Sequence, residues 1–161
     1  MNDKKERRRL TLPNLDAVLA DIENLRSKGY DRVGNWNLAQ VCGHMAEWIR
    51  FPMDGFPKAG CAMGAVLGLM RMTIGAHLRK KILRTGKLPA NGPTLKETVP
   101  PSDLDEATAV QRLTAEIERF KPYTGDLHPS PLLGRMDKQT WERIQVVHCA
   151  HHLSFLIPRM G

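Results

Sequence analysis

Apolar residues at 15, 18, 19, 22 and 25 recur at the three-and-four spacing of a helix that buries one stripe. Asn14 stands where such a helix would be capped, and Gly29 where it would end. A second stripe, Leu38, Val41, Met45 and Trp48, follows Asn37, and Gln40 three residues on can complete a variant capping box. Pro52 marks its expected end. A third helix is expected through the glycine-rich segment to about Leu83, its four glycines blurring the boundaries. Val110, Leu113, Ile117 and Phe120 predict another, capped by Ser102 and closed by Pro122. The last runs from near Asp137 to Pro158, with Trp141, Ile144, Val147, His148, His151 and Phe155 as its stripe.

Strand-like alternation is not evident in any window, and "KLPANGPTLKETVPP" reads as a connector because its four prolines oppose helix. The pattern predicts an all-α fold, a four-helix bundle with long connectors. A chain of 161 residues can enclose one core, so residues 10–161 are expected to form a single domain behind a basic tail at 1–9.

Composition narrows the class. Hydrophobic residues at 42% and charged residues at 25% match an ordinary globule and exclude a disordered or fibrous chain. Of the formal charge of +7, the opening "MNDKKERRRL" carries +3. A basic arm can touch nucleic acid or acidic lipid, or simply lie solvated. The segment after it is interrupted by Asp16, Asp21 and Glu23, so it lacks the apolar stretch of a signal peptide. Cys42, Cys61 and Cys149 are odd in number and unpaired in spacing, which points to a reducing, cytoplasmic setting.

"AGCAMGAVLGLM" is uncharged, and Gly60, Gly64 and Gly68 repeat every fourth residue, the spacing of close-packed helices. An apolar run this short falls below the ~20 residues that span a bilayer, so no transmembrane helix is expected. The favoured reading presses this helix against a neighbour inside the bundle. Arg79, Lys80, Lys81, Arg84 and Lys87 follow it and keep a peripheral membrane role open, and an exposed glycine face would support a homodimer. Met63, Met70 and Met72 read as gap-fillers.

The chemistry lies in "VVHCAHHLSFLIP", where His148, His151 and His152 occupy three of five consecutive positions. Residues four apart share a helix face, so two imidazoles can converge on one ion. Spacing alone does not choose between His151 and His152 as the partner of His148. A catalytic ion usually takes three protein ligands and keeps one position open. His44, in mid-helix beside the apolar flank, leads as the third, ahead of His77 and His128. The alternative is that the rings pack and hydrogen-bond in the core.

"NWNLAQVCGHMAEW" and "HCAHH", with "HPSPLLGRMDKQTW" and "HHLSFLIP", resemble the motifs of the DinB/YfiT-like superfamily, in a branch described as a domain of unknown function. The resemblance runs from about Arg8 to Pro158. It implies a four-helix bundle that holds a divalent ion through His44, His148 and His152, with His151 as the alternate. Superfamily members often continue the last motif as H-R-G-Q, whereas "HHLSFL" here is apolar. Three neutral imidazoles suit zinc, nickel or iron alike, and an ion so held lowers the pKa of bound water or thiol. The resemblance further implies activation of a low-molecular-weight thiol, for transfer or isomerisation of a small-molecule substrate, with hydrolysis close behind.

Glu47 and Gln145 are candidate catalytic or orienting residues, each one helical turn from a ligand histidine, with a plain helical role as the alternative. Cys149 reads as a small buried residue, and His128 as shaping a loop. Two other functions compete: a non-catalytic bundle stabilised by its metal, and a basic-surface binder of nucleic acid or membrane. The absence of aromatics among the basic residues weakens single-strand recognition.

Overall fold

The computed structural model describes residues 6–57, 60–88 and 99–159, without the side chains of 61–63. The first five residues of the expected tail, most of the proline-rich connector, and the side chains of Cys61 and Met63 lie outside these described residues.

Two elements follow the sequence pattern closely. Helix α1 (Leu15–Lys28) is capped by Asn14, whose side chain accepts from Ala17 N–H, and buries Leu15, Val18, Ile22 and Leu25. Gly29 ends it at φ 69°, a conformation that suits glycine. Helix α2 (Leu38–Asp54) opens with the full capping box of Asn37 and Gln40. It is buried on every side from Leu38 through Ala46, so it is the central rod.

Pro52 does not end α2, which continues to Asp54. A proline inside a helix removes the N–H that would serve the carbonyl four residues earlier, here that of Trp48. Gln145 fills the gap by donating its side-chain amide to that carbonyl.

Between α1 and α2 the chain forms a short strand, β1 (Tyr30–Arg32), paired antiparallel with β2 (Leu156–Pro158). This pair corrects the strand-free expectation. Three residues are too few to display alternation, and the partners lie at opposite ends of the chain. Pro158 sits at the ladder's end opposite Tyr30, where a missing N–H costs little.

The glycine-rich region is helical, but in three pieces: α3 (Cys61–Met70), a π-helical turn (Arg71–Gly75) and α4 (Ala76–Thr85). It is not pressed into the interior. Val66, Leu69, Met72 and Ile74 are 52%, 64%, 83% and 45% exposed, and among the described residues nothing lies within 4 Å of a Cβ at Gly60 or Gly68. The contact predicted from the glycine spacing instead occurs at Gly75. A Cβ there would collide with the Leu132 carbonyl oxygen. Arg79 anchors the same junction by donating to the carbonyls of Leu133 and Arg135, both at 3.0 Å. The rod is therefore pinned at its middle while α3 projects off the body.

Helix α5 (Glu106–Phe120) starts later than expected because Asp105, not Ser102, is its cap and accepts from Thr108 N–H. It lies along α2 in the most extensive helix contact of the fold. Leu113, Ile117 and Phe120 are fully enclosed there, each stabilising the fold by about 1.5–3 kcal/mol.

Helix α6 (Lys138–Leu153), capped by Asp137, packs on α1 and α2. It stops at Leu153, five residues before Pro158, because the chain turns there into β2. The segment expected as a tail is partly docked: Arg8 N–H donates to Ser154 O at 3.0 Å, and its guanidinium pairs with Asp21 at 2.5 Å. Among the described residues the protein is mostly helical, with one two-stranded sheet.

Candidate metal centre

The capping box fixes where α2 begins, and His44 follows two turns later on the side facing α6. Tyr30 reinforces the start, its hydroxyl accepting from Leu38 N–H at 3.0 Å. On α6, His148 and His152 are one turn apart and turn their rings toward His44. The Nε2 of His148 lies 3.2 Å from that of His44 and 3.1 Å from that of His152. All three side chains can place a ligand atom within 4.8 Å of the others. His44 is buried, and His148 and His152 are half-buried.

Hydrogen bonding explains this convergence poorly. Each neutral imidazole nitrogen is either a donor or an acceptor, so Nε2 of His148 cannot donate to one neighbour while accepting from the other. A cation satisfies three inward lone pairs at once. Tetrahedral ligands at ~2.0–2.1 Å from zinc stand about 3.3–3.4 Å apart, close to the spacings here. The donor set and its geometry therefore fit a divalent ion. One cost remains: Nδ1 of His148 is buried and finds no hydrogen-bond partner among the described residues.

Burial keeps the two α6 rings neutral, as ligation requires. Burial pushes His152 down to about 2, helped by His44 and His151. His148 is held well below the ordinary histidine value by burial and by its three histidine neighbours.

Aromatic rings enclose the cluster. Trp36 stacks on His152 at 5.5 Å and 12°, and Trp48 lies 5.1 Å from His148. Beside Trp36 opens a cleft of about 390 Å³, lined by Val33, Gly34, Trp36, His151, His152 and Phe155 among others. His152 belongs to both the trio and the cleft. Gly34 lets the wall close, since a Cβ there would press on the Phe155 ring at 3.3 Å.

His151 stands apart from the trio, its ring perpendicular to that of His152 at the cleft edge. Glu47 does not turn to a histidine. Arg50 engages one oxygen at 2.7 Å and Arg112 the other, which makes it an ion-pair link between α2 and α5. Gln145 is fully buried on its bond to Trp48. His77 is exposed on α4, and His128 is an exposed loop residue whose N–H donates to Pro52 O at 2.8 Å and whose ring packs near Gly55. Cys42 and Cys149 are buried free thiols, and burial raises both, Cys149 to about 12.

Trp36 and Phe155 are the site residues that sequence reading passed over as such. "NWN", directly before the cap of α2, was the available signal for the first. For Phe155 the signal was its place four residues after His151 in the expected stripe, although α6 itself ends at Leu153.

A family model described as a protein of unknown function (DUF1569) matches residues 4–159. Neither the curated proteins nor the solved structures yield a match to the chain.

Proposed function

This chain belongs to the DUF1569 family, and we propose that it is a divalent-metal-dependent enzyme of the DinB/YfiT-like kind, built on a four-helix bundle. His44, His148 and His152 would hold the ion. The observation that carries the reading is the meeting of three Nε2 atoms beneath a cleft of ligand size. A divalent ion bound by three imidazoles supplies Lewis-acid activation of a thiol or of water.

The chain's own residues account for the rest. Burial holds His148 and His152 neutral, so their lone pairs are available at neutral pH. Trp36 fixes the His152 ring by stacking and, with Phe155, gives the cleft an apolar wall for a small electrophile. His151, at the edge, would be the group that accepts or delivers a proton as substrate enters. Thiol activation is the leading chemistry by resemblance and hydrolysis the second. The cysteine usage supports a reducing, cytoplasmic setting.

Because the trio joins α2 to α6, a purely structural metal is the competing reading. Metal-loaded protein is to be offered low-molecular-weight thiols with an aryl electrophile, and activated esters without thiol. Turnover that disappears in His44→Ala together with the metal supports the enzyme. Full metal content, a chelator-sensitive melting temperature and no turnover with either substrate set would leave the structural role.

A further inference from the structure

The exposed rod formed by α3, the π turn and α4 has no part in the site described above. Its charge is one-sided. Residues 55–95 contain seven Lys/Arg and no acid, while the other seventeen basic residues are matched by seventeen acids. The whole net charge of +7 therefore belongs to this segment. Along the rod, apolar surface dominates one end and basic surface the other, with exposed Arg71 at the border between them. In α3 and the π turn, Val66, Leu69, Met72 and Ile74 face solvent. On α4, Lys80, Lys81 and Arg84 are exposed while Ile82 turns into the core, and exposed Lys87 follows.

We propose that this rod docks the protein on an anionic lipid surface, with α3 entering the apolar layer and the basic face of α4 resting on the headgroups. The chemistry fits no other partner as well. A helix apolar all round is stable only when buried in protein or lipid, and Val66 and Leu69 of α3 are exposed. Nucleic acid would meet the cations but has no use for an exposed Val, Leu and Met surface that offers neither donors nor aromatic stacking. A second copy would set two acid-free basic segments against each other. Anionic lipid satisfies both halves: acyl chains for α3 and headgroup charge for α4.

The dimensions agree. Ten helical residues extend about 15 Å, roughly half of a ~30 Å hydrocarbon core, enough to anchor without crossing. Among the described residues no helix is long and apolar enough to cross a membrane. Gly75 and Arg79 fix the junction to the 132–135 loop, so insertion of α3 would leave the histidine trio in place.

The test is flotation of the purified full chain with phosphatidylcholine vesicles, with and without about 30 mol % phosphatidylglycerol. The protein is expected to float with the anionic vesicles only. Leu69→Asp with Met72→Asp should abolish flotation. Lys80→Gln, Lys81→Gln and Arg84→Gln together should weaken it on the order of 100-fold, at about fivefold per charge near the surface. Both variants should keep the parent's circular dichroism. If the aspartates disturb folding, Met72→Cys in a Cys61→Ser background, carrying a polarity-sensitive fluorophore, should shift to the blue on adding anionic vesicles. Equal binding to neutral vesicles, no flotation, or flotation and dye signal indifferent to these changes overturns the proposal. So does a dimer that the Asp variant converts to monomer without any vesicle binding, or a gel shift with RNA in place of flotation.

Discussion

Nε2 of His44 lies 3.2 Å from Nε2 of His148, although 104 positions separate the two residues in the chain. Such a meeting makes the ligand set testable one residue at a time. His44→Ala, His148→Ala and His152→Ala should each lose tightly bound metal, as read by elemental analysis per chain. Removing a ligand should cost more than the 10–100-fold typical of an outer-shell partner. His151→Ala should retain it. Loss of metal in His151→Ala and retention in His152→Ala would exchange the two assignments.

Gln145 answers Pro52. The proline leaves the Trp48 carbonyl without its helical donor, and the Gln145 amide supplies one from α6. Gln145→Leu should therefore destabilise the fold by about 1–3 kcal/mol, the cost of an unsatisfied buried acceptor. Chemical denaturation reads this directly. An unchanged midpoint would mean that the bond contributes nothing, and a loss of turnover at full stability would return Gln145 to the chemistry.

Gly75→Ala sets two effects in opposition. Alanine gains up to about 1 kcal/mol in helix propensity. The new Cβ meets the backbone oxygen of Leu132, which cannot rotate aside. Overpacking costs about 1–3 kcal/mol, so the net change should be a lower melting temperature. Gly68→Ala, with open space around it, should raise it or leave it unchanged.

Glu47 gives the protein an acid-sensitive joint. Burial alone would raise its carboxyl, but Arg50 and Arg112 outweigh burial and hold it below its ordinary 4.5. A carboxylate favoured by the folded state stabilises fully above the unfolded value, and that contribution is lost as pH falls through the lowered one. Glu47→Gln should lower stability at neutral pH and lessen its decline below pH 4.5, as followed by melting temperature against pH. The effect should be small, since Arg112 is 49% exposed and screened by solvent.

Much of this was legible because it is local. Asn14, Asn37 and Asp137 cap helices by bonds that span three residues, and a three-residue pattern is what a sequence displays. Spacing also brought His148 within one turn of both His151 and His152, but only the resemblance chose His152, and the mid-helix position of His44 beside the apolar flank is why it could join them. The errors came from long-range partners. Pro52 reads as a stop until Gln145, far along the chain, supplies the missing donor. The β1–β2 pair joins segments that show nothing individually. The glycine spacing in α3 announces a neighbour, but among the described residues none lies within 4 Å of a Cβ at Gly60 or Gly68, and a close approach occurs further along, at Gly75. For Glu47, one turn from His44, a chemical and a plain helical role both stood open in the sequence, and its ion pair with Arg112 becomes visible only once α5 is in place.

The three-rung pairing of Tyr30–Arg32 with Leu156–Pro158 has a mechanical consequence. Val33 N–H donates to Phe155 O at 3.0 Å at the edge of that ladder, so the two sides of the doorway to His152 are sewn together by the sheet. Peeling these few backbone bonds would widen the entrance while every helix, and the grip of α2 on α6, stayed intact. Opening of the cleft would thereby be uncoupled from the integrity of the body.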